Sequence, residues 1–303
     1  MMITATLLML ALVGSLPAPE LIDDLDQAGD AEFVGRQLVV CWAPDGVVAH
    51  VTDVEQSDGM TMVSGPDGFF AIGDGKVIEQ GAGGIRYLEM SPTMDWRLWD
   101  GYHVRDGATL TGPNGGRLVE LVEGGLIRAR FVLDEVTAVP LTTEVYGGDG
   151  ALYRYSSLIE VAARGEEAML DMSDMPEPEQ RSPAVAATVP SSAGHYWAAD
   201  SYVAPGGVQV FFTDGLFRFS VFEVNRKSDG GGLADADTVE IGGRGGYHRA
   251  HSPGAVSVFW RTADLGYVLV GDLPPDHLER VLADMPVPSR PNILKRAWRW
   301  VFG

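Results

Sequence analysis

Apolar and polar positions alternate with a period of two through most of this chain. The stretch VQVFFTDGLFRFSVFEV (Val208 to Val224) shows it best: two apolar runs flank Thr213-Asp214-Gly215. After the turn, Phe217, Phe219 and Val221 alternate with Arg218 and Ser220, the signature of a half-buried strand. Asp-Gly between such runs marks a hairpin. The pattern predicts Phe217, Phe219 and Val221 in a core and leaves Phe211, Arg218 or Phe222 to reach a partner. A change of phase at Phe222-Glu223 predicts a bulge there.

The same reading predicts strands at Phe33–Trp42, Val47–Val54, Met60–Val63, Phe69–Ile72 and Lys76–Gln80. They are joined by turn sequences such as Ala43-Pro44-Asp45-Gly46 and Gly65-Pro66-Asp67-Gly68. Residues 81–107 are less regular. Strands resume at Gly116–Val122, Leu126–Leu133, Val139–Tyr146 and Ala151–Val161. Short strands at this spacing predict an antiparallel meander.

Residues 166–193 are rich in Pro, Ser, Ala and acid, which reads as an interdomain linker. The layout is then a first domain over 20–165, the linker, a second domain over 194–287 and a basic tail over 288–303. Strands are expected in the second domain at Thr238–Ile241, Ala255–Trp260 and Tyr267–Gly271. Pro274 to Met285 is expected as a helix, with Pro275 in its first turn and Leu278, Val281 and Leu282 on one face. A short helix with Leu21, Leu25 and Ala28 on one side is expected to end at Gly29.

Composition narrows the classes. A net charge of −20 over 303 residues disfavours a nucleic-acid partner. Cys41 is the single cysteine, so no internal disulfide exists, and its apolar run Leu38-Val39-Val40-Cys41-Trp42 reads as buried structure. Residues 1–18 contain an apolar stretch, Leu7 to Val13, too short to span a bilayer comfortably, with small residues after it. That fits a secretory signal peptide or an uncleaved N-terminal anchor, and an exported, extracytoplasmic protein.

No catalytic set emerges. Gly242-Gly243-Arg244-Gly245-Gly246 lacks the Lys-Ser/Thr ending of a phosphate loop and reads as a hairpin turn. His248 and His251 would need a helix to share a metal, and Gly246 and Pro253 oppose one. His103 and His195 stand isolated. The reading is no enzyme, no metal and no cofactor. In the tail, Lys295, Arg296, Trp298, Arg299 and Trp300 fit a membrane-surface or partner-docking helix, or one packed on the acidic body of the chain.

Four stretches carry a family resemblance: FVGRQLVVCWAPDGVVAHVTDV, FVLDEVTAVPLTTEVYGGDGALYRYSSLIEV, FFTDGLFRFSVFEV and GAVSVFWRTADLGYVLVGDLPPDHLERVLADMP. In order and spacing they resemble the RseB/MucB family, extracytoplasmic regulators of anti-sigma factors, most of all the actinobacterial type. The resemblance implies a mainly β protein with a few helices (α+β): a LolA-like antiparallel half-barrel plus a smaller β-rich C-terminal domain. It implies an anti-sigma factor's extracytoplasmic segment as partner, shielded from proteolysis in envelope-stress signalling. The alternative is a lipid or lipoprotein carrier using the concave apolar face, with Leu38, Val40, Trp42, Phe70 and Phe131 as pocket candidates. An enzyme with a spatially assembled site is the third reading.

Overall fold

In the computed structural model the period-two pattern becomes two open antiparallel sheets. The structure describes residues 28, 31–43, 46–57, 59–65, 68–73, 76–81, 84–89, 101–110, 115–163, 188–204, 207–252 and 255–289. The N-terminal segment 1–18, most of the expected Leu21–Ala28 helix, most of the linker and the basic residues of the tail lie outside this set. Ala28 itself is helical and buried.

The first sheet has eleven strands: β1 (Phe33–Ala43), β2 (Gly46–Ser57), β3 (Met60–Gly65), β4 (Gly68–Gly73), β5 (Lys76–Gly81), β6 (Gly84–Glu89), β7 (His103–Leu110), β8 (Gly116–Glu123), β9 (Leu126–Leu133), β10 (Pro140–Tyr146) and β11 (Leu152–Ala163). Two meanders meet where β1 pairs with β11, giving the order β6-β5-β4-β3-β2-β1-β11-β10-β9-β8-β7. β6 and β7 are its free edges, so the sheet does not close into a barrel. Residues 81–107, irregular in pattern, supply both edge strands, where the demand for a buried face is weakest.

The second sheet has eight strands: β12 (Ser192–Ala193), β13 (Tyr196–Ala204), β14 (Gly207–Thr213), β15 (Arg218–Asn225), β16 (Asp237–Ile241), β17 (Arg244–Ser252), β18 (Ala255–Arg261) and β19 (Leu265–Asp272). Helix α1 (Pro275–Asp284) follows, with Pro275 in its first turn and His277, Leu278, Val281 and Leu282 buried. The last residues of the expected linker belong to this sheet: β12 pairs with β13, and Val189 is buried.

Register decides which side chains share a face. Val39 lies opposite Ser156, Ser156 opposite Thr143, and Thr143 opposite Phe131. Leu38 connects in the same way through Ser157 and Thr142 to Val132, on the other face. The Val39 face packs on the second sheet. Val119, Leu121, Ala129, Phe131, Leu133 and Val145 join Tyr196, Phe212, Phe217, Phe219 and Trp260 in one buried cluster. A shared apolar core of this kind couples two layers more firmly than a polar interdomain contact does.

Phe217, Phe219 and Val221 are fully buried. The bulge expected at Phe222-Glu223 is absent: β15 pairs with β14 and β19 in unbroken register there. Glu223 simply takes the next inward position after Phe219 and Val221. Its carboxylate accepts hydrogen bonds from the Val189 N–H and the Thr188 hydroxyl, both at 3.0 Å. A buried acid satisfied in this way needs no bulge to remove it from the core.

Gly271 of β19 lies directly opposite Phe219. A Cβ there would meet the Phe219 Cβ at 2.2 Å and the Arg218 carbonyl oxygen at 2.6 Å. Neither atom is the free end of a flexible side chain. Gly271→Ala is expected to destabilise the protein by about 1–3 kcal/mol through overpacking, read as a lower urea midpoint with unchanged slope.

Candidate functional site

The two layers also meet through a polar junction. Its first half sits at the β8–β9 turn, where Gly124 and Gly125 adopt left-handed φ of 57° and 85°. Two pairs beyond the turn the ladder slips: Leu121 pairs with Ala129 but Val122 with Ile127, leaving Arg128 as the extra residue of a bulge. The bulge turns Arg128, 2% exposed, toward α1. Its guanidinium donates to Glu123 at 2.7 Å and also pairs with Asp276. Arg280 of α1 donates to Glu123 at 2.6 Å. Asp276 also accepts the Gly148 N–H at 3.1 Å.

His277, fully buried, bridges the same carboxylate to the second sheet. Its Nε2 lies 3.1 Å from Glu123, and its Nδ1 lies 2.5 Å from the Tyr196 hydroxyl. A nitrogen facing a carboxylate carries the proton, so Nε2–H donates and Nδ1 accepts from Tyr196. Burial lowers the His277 pKa below the usual histidine value, against the pull of Glu123, and keeps the ring neutral. Burial pushes the Glu123 carboxyl up, but the hydrogen bonds from His277 and Arg280 outweigh this and leave it well below the carboxylate range. His195 stacks on Tyr196, with centroids 4.8 Å apart, and its Nε2 sits 2.9 Å from Asp214. Asp214 also accepts from Tyr102 of the first layer at 2.7 Å and from the Leu216 and Phe217 N–H groups of its own turn.

Further along, a bulge at Tyr153 precedes Arg154 on β11: Val145 pairs with Arg154 and Tyr146 with Leu152. Arg154 is buried against Asp272 of β19. Arg218 lies opposite Asp272 across the β15–β19 ladder, and its guanidinium covers the Phe70 ring at 5.7 Å.

These shifts set the acid response. The His277 pKa is lowered in the fold, so the unfolded chain takes up a proton first, and stability falls as pH drops through about 6.5. Glu123 and Asp276 are lowered as well, so a second loss begins as pH falls through the unfolded carboxylate range near 4. The melting temperature should therefore decline from neutral pH downward in two stages. His277→Gln should shrink the upper stage, to which half-buried His50 also contributes because burial lowers its pKa, and keep the lower; an unchanged upper stage in the variant would assign it to His50.

Glu123, His195 and His277 place one ligand atom each within 4.8 Å of one another, a spacing a metal ion could bridge. The chemistry does not suit one. Two guanidiniums already hold Glu123, and the proton on the His277 Nε2 occupies the lone pair a metal would need.

His195, read from sequence as isolated, is thus at the centre of the junction; apart from the adjacent Tyr196, its partners lie 19 to 93 positions away along the chain. His103 is exposed on edge strand β7. His248 and His251 lie on strand β17 and not on a helix, and the glycine run forms the β16–β17 turn. Cys41 is buried, and burial raises its thiol pKa. Of the partner candidates, Phe211, Arg218 and Phe222 are all half-buried. The five pocket candidates divide between faces. Phe70 and Phe131 lie on the Val39 side, and Phe131 is buried in the shared core. Leu38, Val40 and Trp42 share the other phase of the alternation and are half-buried, but Trp42, at the end of its strand, reaches the space between the layers. The tail residues Lys295, Arg296, Trp298, Arg299 and Trp300 lie outside the described residues.

Two layers of open antiparallel sheet, joined by a shared core and a polar junction, define a class of two-layer β proteins, and solved structures give it a particular likeness. MucB in complex with MucA(peri) matches with a TM-score of 0.58 and 18% identity, over 90% of this chain and 100% of that one. The Pseudomonas aeruginosa MucA/MucB complex matches at 0.57 and 18%, over 89% and 99%. MucB alone matches at 0.54 and 18%, over 89% and 98%. No family model and no curated protein matches the sequence. The chain is RseB/MucB-like in fold over about nine-tenths of its length.

Proposed function

We propose that this chain is a non-enzymatic extracytoplasmic binding protein that holds the extracytoplasmic segment of a membrane-bound anti-sigma factor and shields it from proteolysis in envelope-stress signalling. The observation that carries this reading is the likeness to MucB over nearly the whole of both chains, in a structure where MucB is complexed with MucA(peri). The chemistry of the junction supports it. Glu123, Asp214 and Asp276 are each held by several donors, and Cys41 is buried with a raised thiol pKa, so none is poised as a nucleophile or base. Among the described residues no helix is long and apolar enough to cross a membrane. Phe211 and Phe222 are proposed as partner contacts, since aromatic side chains are favoured anchors; Arg218 is engaged inside the protein, over the Phe70 ring.

One observation favours a lipid or lipoprotein carrier instead. On the face of Leu38, Val40 and Trp42, the cross-strand partners Val47 and Val51 are exposed, forming an apolar band. A mild-detergent pull-down of the protein from its native membranes, with mass spectrometry of proteins and lipids, separates the two. A single-pass membrane protein with a cytoplasmic sigma-binding domain supports the regulator. Stoichiometric lipid or lipoprotein without such a protein supports the carrier.

A further inference from the structure

Between the two layers lies a groove of about 330 Å³, at the small end of ligand-sized cavities. Trp42 and Tyr153 line it from the first sheet, and Leu278 of α1 forms part of its apolar wall. Glu240, Glu279 and Arg249 supply its charge, two acids against one base. Both glutamates are exposed and form no ion pair among the described residues. Carboxylates left unpaired beside two half-buried aromatic rings suit a basic, aromatic segment.

The chain itself carries such a segment. The last described residue, Ser289, is tied back by its N–H to the Arg261 carbonyl at 2.7 Å. Its neighbour Pro288 sits on the β16–β17 hairpin, where a Cβ on Gly246 would meet it at 3.3 Å. Four residues earlier on that hairpin, Gly242 lines the groove, and a Cβ there would meet Glu279 at 3.6 Å. The chain therefore leaves the described fold beside the groove. Residues 290–303 follow, with Arg290, Lys295, Arg296 and Arg299, no acid, and Trp298 and Trp300. Nine residues reach about 30 Å when extended and about 14 Å when helical, ample for Trp298 to enter a groove that starts beside Ser289.

We propose that residues 290–303 dock in this groove of their own chain, with a Trp side chain against Trp42 and Tyr153 and the basic residues against Glu240 and Glu279. It rests on the groove and the tail, and not on the identity of any partner.

Hydrogen exchange of the 290–303 peptide, followed by mass spectrometry in the full chain, tests this. Docking predicts exchange about tenfold slower than in the Glu240→Lys/Glu279→Lys double variant. Both altered side chains are exposed, so the fold should survive. Adding Lys295→Glu, Arg296→Glu and Arg299→Glu to that variant should restore protection by reversing both charges. Unprotected exchange in the parent chain overturns the proposal, as does protection indifferent to the glutamate changes. So does protection that falls on dilution alongside a dimer in light scattering, which would place the tail in a second copy. Protection that appears only with phosphatidylglycerol vesicles would assign the tail to the membrane surface instead.

Discussion

Asp272→Ala is expected to destabilise the protein by about 3–5 kcal/mol, the range for removing one partner of a buried ion pair. Asp272 and Arg154 are 1% and 4% exposed. Arg154→Ala should cost less. It leaves Asp272 facing Arg218 across the β15–β19 ladder, whereas Asp272→Ala leaves two guanidiniums with no carboxylate between them. The double change Arg154→Met/Asp272→Leu should recover most of the loss, because apolar residues of similar volume replace a desolvated pair at little cost. It should not recover all of it, since Arg218 still lacks its partner. Urea denaturation of the four proteins measures this as a double-mutant cycle. Equal costs for the two single variants would show that Arg218 does not share the carboxylate.

Phe219→Ala should cost a similar amount, about 3–5 kcal/mol. The ring is fully buried, stacked on Phe212 at 4.8 Å and edge-on to Tyr196 at 5.2 Å. Its neighbours are β-strand side chains held in register from both sides, so the cavity has little room to collapse. Phe222→Ala, three residues away and half-buried, should cost clearly less. If the two variants melted alike, the alternation along β15 would not be the source of this sheet's stability.

The two predictions bear on function through the same geometry. Residues that tie the layers together are spread over β8, β9, β11, β13, β19 and α1. The Arg154–Asp272 and Arg128–Asp276 pairs hold the two layers together at these points. Arg218 Nη2, Arg154 Nη2 and Asp272 Oδ1 are all buried without a hydrogen-bond partner among the described residues, so this point of the junction is incompletely satisfied.

The strands were legible because a sheet with one covered face imposes period two on its own sequence. β1, β9 and β15 follow the alternation and match its expected limits closely. Helix α1 was legible for the same reason at a different period, with Leu278, Val281 and Leu282 buried as their spacing predicts. Edge strands β6 and β7 were not, because an edge is under less demand to alternate.

The junction was not legible at all. Glu123 and His277 are 154 positions apart, and Arg154 and Asp272 are 118 apart. Nothing in a one-dimensional pattern pairs them. Two of the arginines reach their partners next to bulges, which depend on how a neighbouring strand pairs. Local alternation and turn chemistry were enough to determine a β protein in two parts, because both act between residues near in sequence. Only the tertiary structure decided which faces meet, which of Leu38 and Val39 points to the core, and which charges are brought together, because those follow from register and layer packing between distant strands.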